Sequence, residues 1–303
     1  MDRLDCDRLF VAVVETGSFA AAARRLGISS GQASKLISRL EEMLNVQLLS
    51  RTTRALALTE AGRGYFEGIR GLLQEFDALD SAVRDASGSV SGRLRISAPI
   101  TFGTAIAAPV LMDFAALHPE IEIDVSFSDR MVSLVDEGFD AAIRIGQPEE
   151  SSLIVRKLCD ARVILAAAPD YLERRGTPAH PADLASHDLI IDTNFRNAGQ
   201  WRFRLPSGGT ISQNVQGRLR FSNAEAAAAA AIRGFGIARL PSFVAGAALR
   251  DGTLKTVLAA FEDAPYGVHV FYPPQRHLAR KVRALVDYLA LAFQGQPEWD
   301  KGW

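Results

Sequence analysis

One stretch of the chain, residues 16–62, constrains the fold more than any other. It reads TGSFAAAARRLGISSGQASKLISRLEEMLNVQLLSRTTRALALTEAG. A helix over about residues 6–15 is predicted before it from apolar residues at helical spacing, and Ser18 can cap a short alanine-rich helix that ends near Leu26. Gly27 supplies a sharp turn, and Ser29 or Ser30 can cap the next helix. Two helices joined in this way can place the second one in a groove of DNA.

The second of these helices has two chemically different faces. Its apolar stripe consists of Ala33, Leu36, Ile37, Leu40 and Leu44. The opposite face carries short or flexible polar side chains, which can hydrogen-bond to base edges or reach phosphates. The DNA-binding candidates on it are Ser29, Ser30, Gln32, Ser34, Lys35, Ser38 and Arg39. The alternative for this helix taken alone is an ordinary solvated surface.

A hairpin is predicted next, from two short apolar runs, Leu48–Leu49 and Leu56–Leu58. The tip between them is cationic, and such a wing can follow the DNA backbone or enter the minor groove. Arg51, Thr53 and Arg54 therefore join the DNA-binding candidates. An exposed turn with incidental arginines is the alternative for the hairpin alone.

The charge distribution supports contact with nucleic acid, although the whole chain has a net charge of only −1. Between Arg24 and Arg54 there are six cations and two acids, Glu41 and Glu42, which leaves an excess of four positive charges. A clustered basic patch on a nearly neutral chain is typical of phosphate contact.

A long helix is predicted after Thr59, which can cap it. Apolar residues then follow at alternating spacings of four and three, as in the seam of a coiled coil. They are Tyr65, Ile69, Leu72, Phe76, Leu79 and Val83. This seam and the Ser87–Gly88–Ser89 linker favour a second copy of the chain as the partner of this helix. Packing against its own domain is the alternative.

From Gly92 onward, predicted strands and helices alternate, which indicates an α/β fold with largely parallel strands. Strands are predicted at Leu94–Ser97, Ile121–Phe127, Ala141–Ile145, Arg162–Ala167 and Leu189–Ile191. Helices are predicted at Phe102–Leu117, Val132–Glu137, Ala224–Ile232 and Ala279–Phe293. Two helix starts, at Thr101 and Asn223, suit a carboxylate or a similar anion. The alternative is that each residue only caps its helix.

The stretch from about Leu4 to Gly62 resembles the winged helix-turn-helix of LysR-type transcriptional regulators, and the subfamily with an Arg-Thr-Thr-Arg wing is the most similar. The matching residues are Phe10, Thr16–Gly17–Ser18–Phe19, Ala22–Ala23, Leu26, Ser29, Ser34, Ile37, Leu40–Glu41, Leu48–Leu49, Arg51, Arg54, Leu58–Thr59 and Ala61–Gly62. The runs RISAPITFG, EGFDAAIRIG and RGFGIARLP resemble the effector-binding half of the same family, which is similar to periplasmic binding proteins.

The resemblance implies a mixed fold: an N-terminal all-α winged helix-turn-helix with a linker helix, then a two-lobed α/β effector domain like a periplasmic binding protein. The implied boundaries are residues 1–61 for DNA binding, 62–88 for the linker and dimerisation helix, 92–161 with 268–303 for lobe 1, and 162–267 for lobe 2. The implied effector-binding residues are Pro99, Thr101, Phe102, Ser128, Gly146, Asn194 and Asn223.

The same resemblance implies double-stranded DNA and a small effector, often a carboxylate, as partners. It also implies a homodimer or homotetramer, with RNA polymerase as a further candidate partner. A small-molecule binding protein without DNA-regulatory activity is the alternative function, and an enzyme ranks third. The five histidines are scattered without metal-ligand spacing, so no metal, cofactor or catalytic residue is expected.

The N-terminus, MDRLDCDRLF, has acids where a signal peptide needs cations and an apolar run. No window is expected to approach the roughly 20 apolar residues that span a bilayer. The two cysteines, Cys6 and Cys159, are far apart in sequence. A cytoplasmic protein with reduced thiols is therefore expected, and a redox switch at Cys159 is the alternative.

Overall fold

The computed structural model describes residues 2–52, 55–84, 90–130, 133–148, 152–274 and 279–303. The chain divides into two compact units, residues 1–88 and residues 89–303. Predictions that involve Thr53, Arg54, the 87–89 linker, the start of the helix at Val132 or His277 lie outside the described residues.

Within the part of the N-terminal unit that the structure describes, there are four helices and one hairpin. The helices are α1 (Arg3–Thr16), α2 (Phe19–Arg25), α3 (Ser30–Leu44) and α4 (Glu60–Arg84), and the strands are β1 (Leu49–Thr52) and β2 (Ala55–Leu58). β1 and β2 pair antiparallel. Helix α1 begins three residues before the predicted start, because the side chain of Asp2 accepts a hydrogen bond from the backbone N–H of Asp5.

The predicted boundaries around α2 and α3 are confirmed. The Ser18 hydroxyl accepts from the N–H of Ala21, and the Ser29 hydroxyl accepts from the N–H of Gln32. Gly27 has a φ of +68°, in the left-handed region that its turn requires. Asn45 ends α3 with a φ of +52°, a conformation that asparagine tolerates.

A buried apolar cluster holds α1, α2 and α3 together. Leu9, Phe10 and Val13 of α1 pack with Ile37 and Leu40 of α3, and all five side chains are completely buried. The wing is attached by a polar contact, since Oε1 of Glu41 accepts from the N–H groups of both Leu48 and Leu49. The apolar stripe predicted on α3 is thus the core face of this unit.

The second unit contains twelve strands and seven α-helices within the described residues. The strands are β3 (Gly92–Ala98), β4 (Ile121–Phe127), β5 (Ala141–Ile145), β6 (Ile154–Ala161), β7 (Val163–Ala167), β8 (Leu189–Asp192), β9 (Gln200–Arg204), β10 (Thr210–Asn214), β11 (Leu219–Phe221), β12 (Ile237–Pro241), β13 (Lys255–Val257) and β14 (Tyr266–Tyr272). The helices are α5 (Ile100–Phe102), α6 (Ala108–Leu117), α7 (Leu134–Glu137), α8 (Pro169–Arg175), α9 (Ala224–Ile232), α10 (Ser242–Arg250) and α11 (Arg280–Ala292).

Ten of these strands form two five-stranded sheets, each the centre of one lobe, and β9 pairs with β10 in a separate two-stranded sheet. The expected two-lobed α/β architecture is therefore confirmed. The strand orders are β4-β3-β5-β14-β6 in lobe 1 and β11-β8-β12-β7-β13 in lobe 2. The expectation of largely parallel strands is wrong. In lobe 1, β3 is parallel to β4 and β5, but β14 is antiparallel to β5 and β6. Lobe 2 has the same balance, because β7 is antiparallel to both of its neighbours.

The chain crosses between the sheets twice, after β6 and before β14. A bidentate ion pair joins the two crossings, with Nε and Nη2 of Arg162 lying 2.8 and 2.7 Å from the carboxylate oxygens of Glu262. The C-terminal segment also contacts both lobes. Trp299 packs in the apolar cluster of lobe 1, whereas Trp303 packs against that of lobe 2. The resemblance implied that the end of the chain belongs to lobe 1, whereas in the structure it contacts both lobes.

One described stretch, Ile100–Leu117, is long and apolar enough by composition to cross a membrane, which the sequence analysis did not anticipate. It comprises α5, a π-helical turn at Gly103–Ala107, and α6. Phe102, Leu111 and Phe114 are buried in the lobe 1 cluster, so this stretch supplies part of the core of an α/β domain.

Gly62 at the start of α4 lies where no side chain fits. A Cβ atom on Gly62 would stand 2.0 Å from the carbonyl oxygen of Leu48, whereas a Cβ on Gly64 would meet no atom within 4 Å. Gly62→Ala is therefore expected to destabilise the N-terminal unit by about 2 kcal/mol or more. Gly64→Ala, the matched control, should stabilise the helix by about 0.5–1 kcal/mol. Thermal unfolding followed by circular dichroism measures both, and equal melting temperatures would contradict the close approach.

Candidate functional site

Helix α3 presents the predicted polar face to solvent. Ser30, Gln32, Lys35 and Arg39 are exposed, and Ser34 and Ser38 are half-buried. The position of Ser29 before the first turn leaves it exposed as well. All the predicted residues of this helix therefore lie on one surface, opposite the buried stripe.

Gln32 has a structural role that the sequence analysis did not foresee. Its Oε1 accepts hydrogen bonds from the N–H and the hydroxyl of Ser29, at 3.0 and 3.1 Å. Because the Ser29 hydroxyl in turn accepts from the Gln32 N–H, the two residues form a capping box at the start of α3. The amide oxygen of Gln32 is thus engaged within the protein.

The cationic surface around α3 is partly neutralised. Nη1 of Arg25 lies 2.6 Å from Oε2 of Glu15, which pairs α2 with α1. The wing strands pair as far as Thr52 and Ala55. The tip residues Thr53 and Arg54 and the side chain of Arg51 lie outside the described residues, so their contribution stays a prediction.

The predicted seam of α4 divides into two parts. Tyr65 and Ile69 pack against the apolar cluster of their own unit. These two residues therefore do not form the free dimerisation surface that the sequence predicted for them. Leu72 and Phe76, one and two turns further on, are 61 % and 41 % exposed. The side chains of Leu79 and Val83 lie outside the described set.

A cleft lies between the two lobes of the second unit. Three of the implied residues follow strands of the lobe 1 sheet: Pro99 follows β3, Ser128 follows β4 and Gly146 follows β5. Because β4 and β5 both run parallel to β3, all three residues lie at the same edge of the sheet. Asn194 and Asn223 follow the parallel strands β8 and β11 of lobe 2. The carboxyl edge of a sheet is where α/β proteins bind ligands.

Two hydrogen bonds join the lobes across this cleft. Nδ2 of Asn223 donates to the Thr101 hydroxyl at 3.3 Å. Nδ2 of Asn194 donates to Oδ2 of Asp129 at 3.2 Å. Asn223 also caps α9 as predicted, since its Oδ1 accepts from the N–H of Ala226. The two helix starts identified in the sequence therefore meet at one place.

The structure corrects the expectations for Thr101 and Phe102. Thr101 does not cap its helix, since Pro99 holds the N-cap position without a side-chain hydrogen bond. Phe102 is completely buried and packs edge-on against Phe243 and Trp299, because the first helical turn directs it into the lobe 1 core. Phe102 therefore does not line the cleft.

Asp129, which the sequence analysis missed, occupies the first helix start. Its Oδ1 accepts from the N–H of Ile100 at 3.0 Å, while its other oxygen holds Asn194. A carboxylate of the protein itself thus lies where an external anion was expected. The signal available in the sequence was a charged residue two positions after the predicted strand Ile121–Phe127.

Further charged groups surround this position. Burial lowers the pKa of Arg144, although the negative charges of Asp129 and Glu137 oppose that shift. Nη2 of Arg144 donates to the hydroxyl of Ser97 at 2.7 Å. Burial also raises the pKa of Asp192, whose carboxylate accepts from the N–H of Asn194. The cleft therefore contains the half-buried guanidinium of Arg144 and the buried carboxyl group of Asp192.

A shallow pocket open to solvent, with a cavity volume of about 30 Å³, lies in lobe 2. Its walls include the aromatic side chains of Trp201, Phe203 and Tyr266. Arg239 connects it with the cleft residues, since its guanidinium lies 4.4 Å from the ring centroid of Phe195 and donates to the Tyr266 hydroxyl. None of these aromatic residues stood out in the sequence, because strands β9 and β14 were not predicted.

Comparisons with known proteins follow the same division of the chain. Residues 7–63 match the family model of bacterial regulatory helix-turn-helix proteins of the LysR family, and residues 87–294 match the LysR substrate binding domain. An uncharacterized HTH-type transcriptional regulator of Haemophilus influenzae is 39 % identical, with 94 % of this chain and 99 % of the relative covered.

A repressor and an activator are both among the similar proteins. An HTH-type transcriptional repressor of Pseudomonas aeruginosa is 37 % identical over 98 % of this chain and 94 % of its own length. The full-length structure of AphB, a virulence activator of Vibrio cholerae, has a TM-score of 0.63 and 30 % identity, covering 95 % of this chain and 98 % of AphB.

Both cysteines are free and buried. Burial raises the pKa of Cys159 to about 12, with smaller contributions from Asp160 and Asp300, and it raises the pKa of Cys6 as well. Among the described residues, no group of three or more His, Cys, Asp or Glu side chains is placed to hold a metal ion.

Because thiolates are the reactive species, both thiols are expected to resist labelling in the native protein. At pH 8 only about one Cys159 in ten thousand is ionised, since each pKa unit is a factor of ten. A disulfide reagent such as DTNB should label both cysteines promptly in denaturant but only at the rate of unfolding without it. A fast stoichiometric phase in native buffer would contradict this, and Cys159→Ser would identify the thiol responsible.

Proposed function

The chain belongs to the LysR family of DNA-binding transcriptional regulators, and from that premise we propose which residues contact DNA, which join two copies, and what kind of effector is bound. The family's DNA-binding and substrate-binding domains span residues 7–63 and 87–294. RNA polymerase as a further partner and a cytoplasmic location belong to the same proposal, because a regulator acts where its DNA is transcribed.

The exposed face of α3 carries the proposed DNA contact. Lys35 and Arg39 lie one turn apart, and both are exposed beside the half-buried hydroxyls of Ser34 and Ser38. A cation on a helix that enters the major groove can reach guanine or phosphate. The wing, which we assign to the Arg-Thr-Thr-Arg type, supplies further phosphate contacts through Arg51, Thr53 and Arg54. Duplex binding is expected in the nanomolar range and should weaken with salt.

Helix α4 is proposed to pair two copies through its outer part. Leu72 and Phe76 are spaced by four residues and expose large apolar surfaces, which a second helix would cover in a coiled coil. A dimer places two copies of α3 on successive turns of DNA. Contacts between effector domains would extend the dimer to a tetramer.

The proposed effector is a small anion that replaces the carboxylate of Asp129. Asp129 accepts from the Ile100 N–H and from Asn194 of the other lobe. An effector carboxylate that took these two donors would release Asp129 and change the link between the lobes. Arg144 and Arg239 provide positive charge nearby, and Trp201, Phe203 and Tyr266 line the shallow pocket of lobe 2 beside Arg239. The effector would then shift the population between lobe arrangements.

Substitutions on α3 separate DNA contact from helix capping. Lys35→Ala is expected to weaken duplex binding and to lower the salt slope by about one for each phosphate that the variant no longer neutralises. Gln32→Glu keeps an acceptor for the Ser29 N–H but places a negative charge against DNA, so affinity should fall while stability is retained. Gln32→Ala should instead cost about 1 kcal/mol of stability.

Fluorescence anisotropy on a duplex selected from random sequences measures binding, and thermal unfolding measures stability. Wild-type affinity in both Gln32→Glu and Lys35→Ala would rule out this face of α3 as the DNA contact.

Removing the carboxylate of Asp129 tests the sign of the effector's charge. Asp129→Ala is expected to raise the affinity for anions by about tenfold, because it frees two donors and removes a competing charge. Thermal shifts with a panel of small carboxylates and of the matching amines measure this. Asp113→Ala, exposed on α6, is the control. Amine binding that is abolished in Asp129→Ala would reverse the assignment and indicate a cationic effector.

A further inference from the structure

A polar cluster around the buried carboxylate of Asp7 joins α1 to the first turns of α4, and the DNA and effector sites do not use it. The Tyr65 hydroxyl donates to Oδ1 of Asp7 at 2.7 Å, and Nη2 of Arg3 donates to the Tyr65 oxygen at 2.7 Å. Nε of Arg3 completes the triangle, 3.1 Å from Oδ2 of Asp7. Three side chains from two helices thus satisfy each other.

This cluster is placed where a hydrophobic contact would be the simpler solution. Asp7 is only 4 % exposed, and burying a carboxylate is costly unless charged and hydrogen-bonding partners surround it. Both partners have a strict geometry, because the phenol and the guanidinium donate along fixed directions. Such a contact specifies one angle between the two helices, whereas an apolar contact tolerates sliding.

Aromatic side chains secure the same joint. The centroid of the Phe10 ring lies 5.7 Å from that of the Tyr65 ring and 6.4 Å from that of the Phe66 ring. The guanidinium of Arg70 lies 5.2 Å from the Phe66 ring centroid, and Arg70 is itself buried. The first turns of α4 are therefore fixed to the DNA-binding core, and the free surface begins at Leu72.

The length of α4 makes the angle at this joint important. From Tyr65 to Arg84 the helix extends about 29 Å, at 1.5 Å per residue. A rotation of about 10° at Tyr65 would move the far end by about 5 Å, which exceeds the 3.4 Å rise of one base pair. Helix α3 moves with α1, because the two share a buried core.

We propose that Arg3, Asp7 and Tyr65 act as positioning residues that hold α4 at one angle to α3 and so determine the spacing between half-sites that the dimer accepts. The proposal rests on the proposed pairing of two copies through α4. It predicts that weakening the cluster relaxes the spacing preference and leaves the base preference within each half-site unchanged.

The experiment is a selection of random 40-base-pair duplexes by the full-length protein, followed by sequencing. Three variants are compared with the wild type. Tyr65→Phe keeps the ring that packs on Phe10 and removes only the hydroxyl, while Arg3→Gln removes a half-exposed cation and leaves the Tyr65–Asp7 bond. Glu15→Gln, the matched control, breaks the ion pair from α1 to α2 and does not involve α4.

The wild type should enrich two half-sites at one spacing. In Tyr65→Phe and in Arg3→Gln, the enrichment of that spacing over neighbours two base pairs away is expected to fall by about threefold to tenfold, since the net contribution of one typical hydrogen bond corresponds to about this factor. Glu15→Gln should retain the wild-type spacing. A reduced melting temperature alone would not change the spacing distribution, so this readout separates positioning from stability.

An unchanged, narrow spacing distribution in both variants would overturn the positioning role. Loss of the half-site sequence together with the spacing would also overturn it, because the cluster would then act on α3 itself. Enrichment of single half-sites by the wild type would instead contradict the proposed dimer, and it would be seen before any variant is compared.

Discussion

Backbone N–H groups at the start of every helix need an acceptor, and this requirement decides which polar side chains of the molecule remain available for ligands. The hydroxyl of Ser29 and the amide oxygen of Gln32 satisfy the start of α3. Asp129 satisfies Ile100 at the start of α5, and Asn223 satisfies the start of α9. The caps of α3 lie on the surface proposed to contact DNA, and the other two lie in the proposed effector cleft.

Both proposed ligand surfaces therefore contain side chains that cap a helix. The two caps differ in what changes when a ligand competes for them. At α3 the cap is local, since Ser29 and Gln32 are three residues apart, and it stabilises a helix that must stay rigid. In the cleft, Asp129 takes part in a bond between lobes, through Asn194. A ligand that competes for that bond acts on the arrangement of the whole domain, and this is the property that an effector-controlled regulator requires.

The apolar seam of helix α4 divides into a packed part and an exposed part. Its first residues, Tyr65 and Ile69, are committed to their own unit, and Leu72 and Phe76 are exposed. A heptad pattern cannot distinguish these uses, because both present an apolar side chain at the same spacing. The polar cluster around Asp7 separates them, since it requires the Tyr65 hydroxyl to turn inward.

Local signals were sufficient for most of the elements. Ser18, Ser29 and Asn223 were recognised as caps, and β4, β5 and α9 have the boundaries that the pattern of residues predicted. The polar face of α3 also follows from periodicity alone. Family resemblance added the two lobes, which the alternation of strands and helices by itself does not specify.

The antiparallel strands, the inward turn of Phe102 and the position of Asp129 required the tertiary structure. Each depends on residues that are distant in the chain: β14 pairs with β5 across more than a hundred residues, Phe102 packs on Phe243 and Trp299, and Asp129 bonds to Asn194. The amino-acid sequence by itself determined most of the helices, the caps of α2 and α9, and the polar face of α3, because these depend on neighbours within a few residues. Only the folded chain decided which charged groups meet in the cleft, because that depends on how two separate sheets come together.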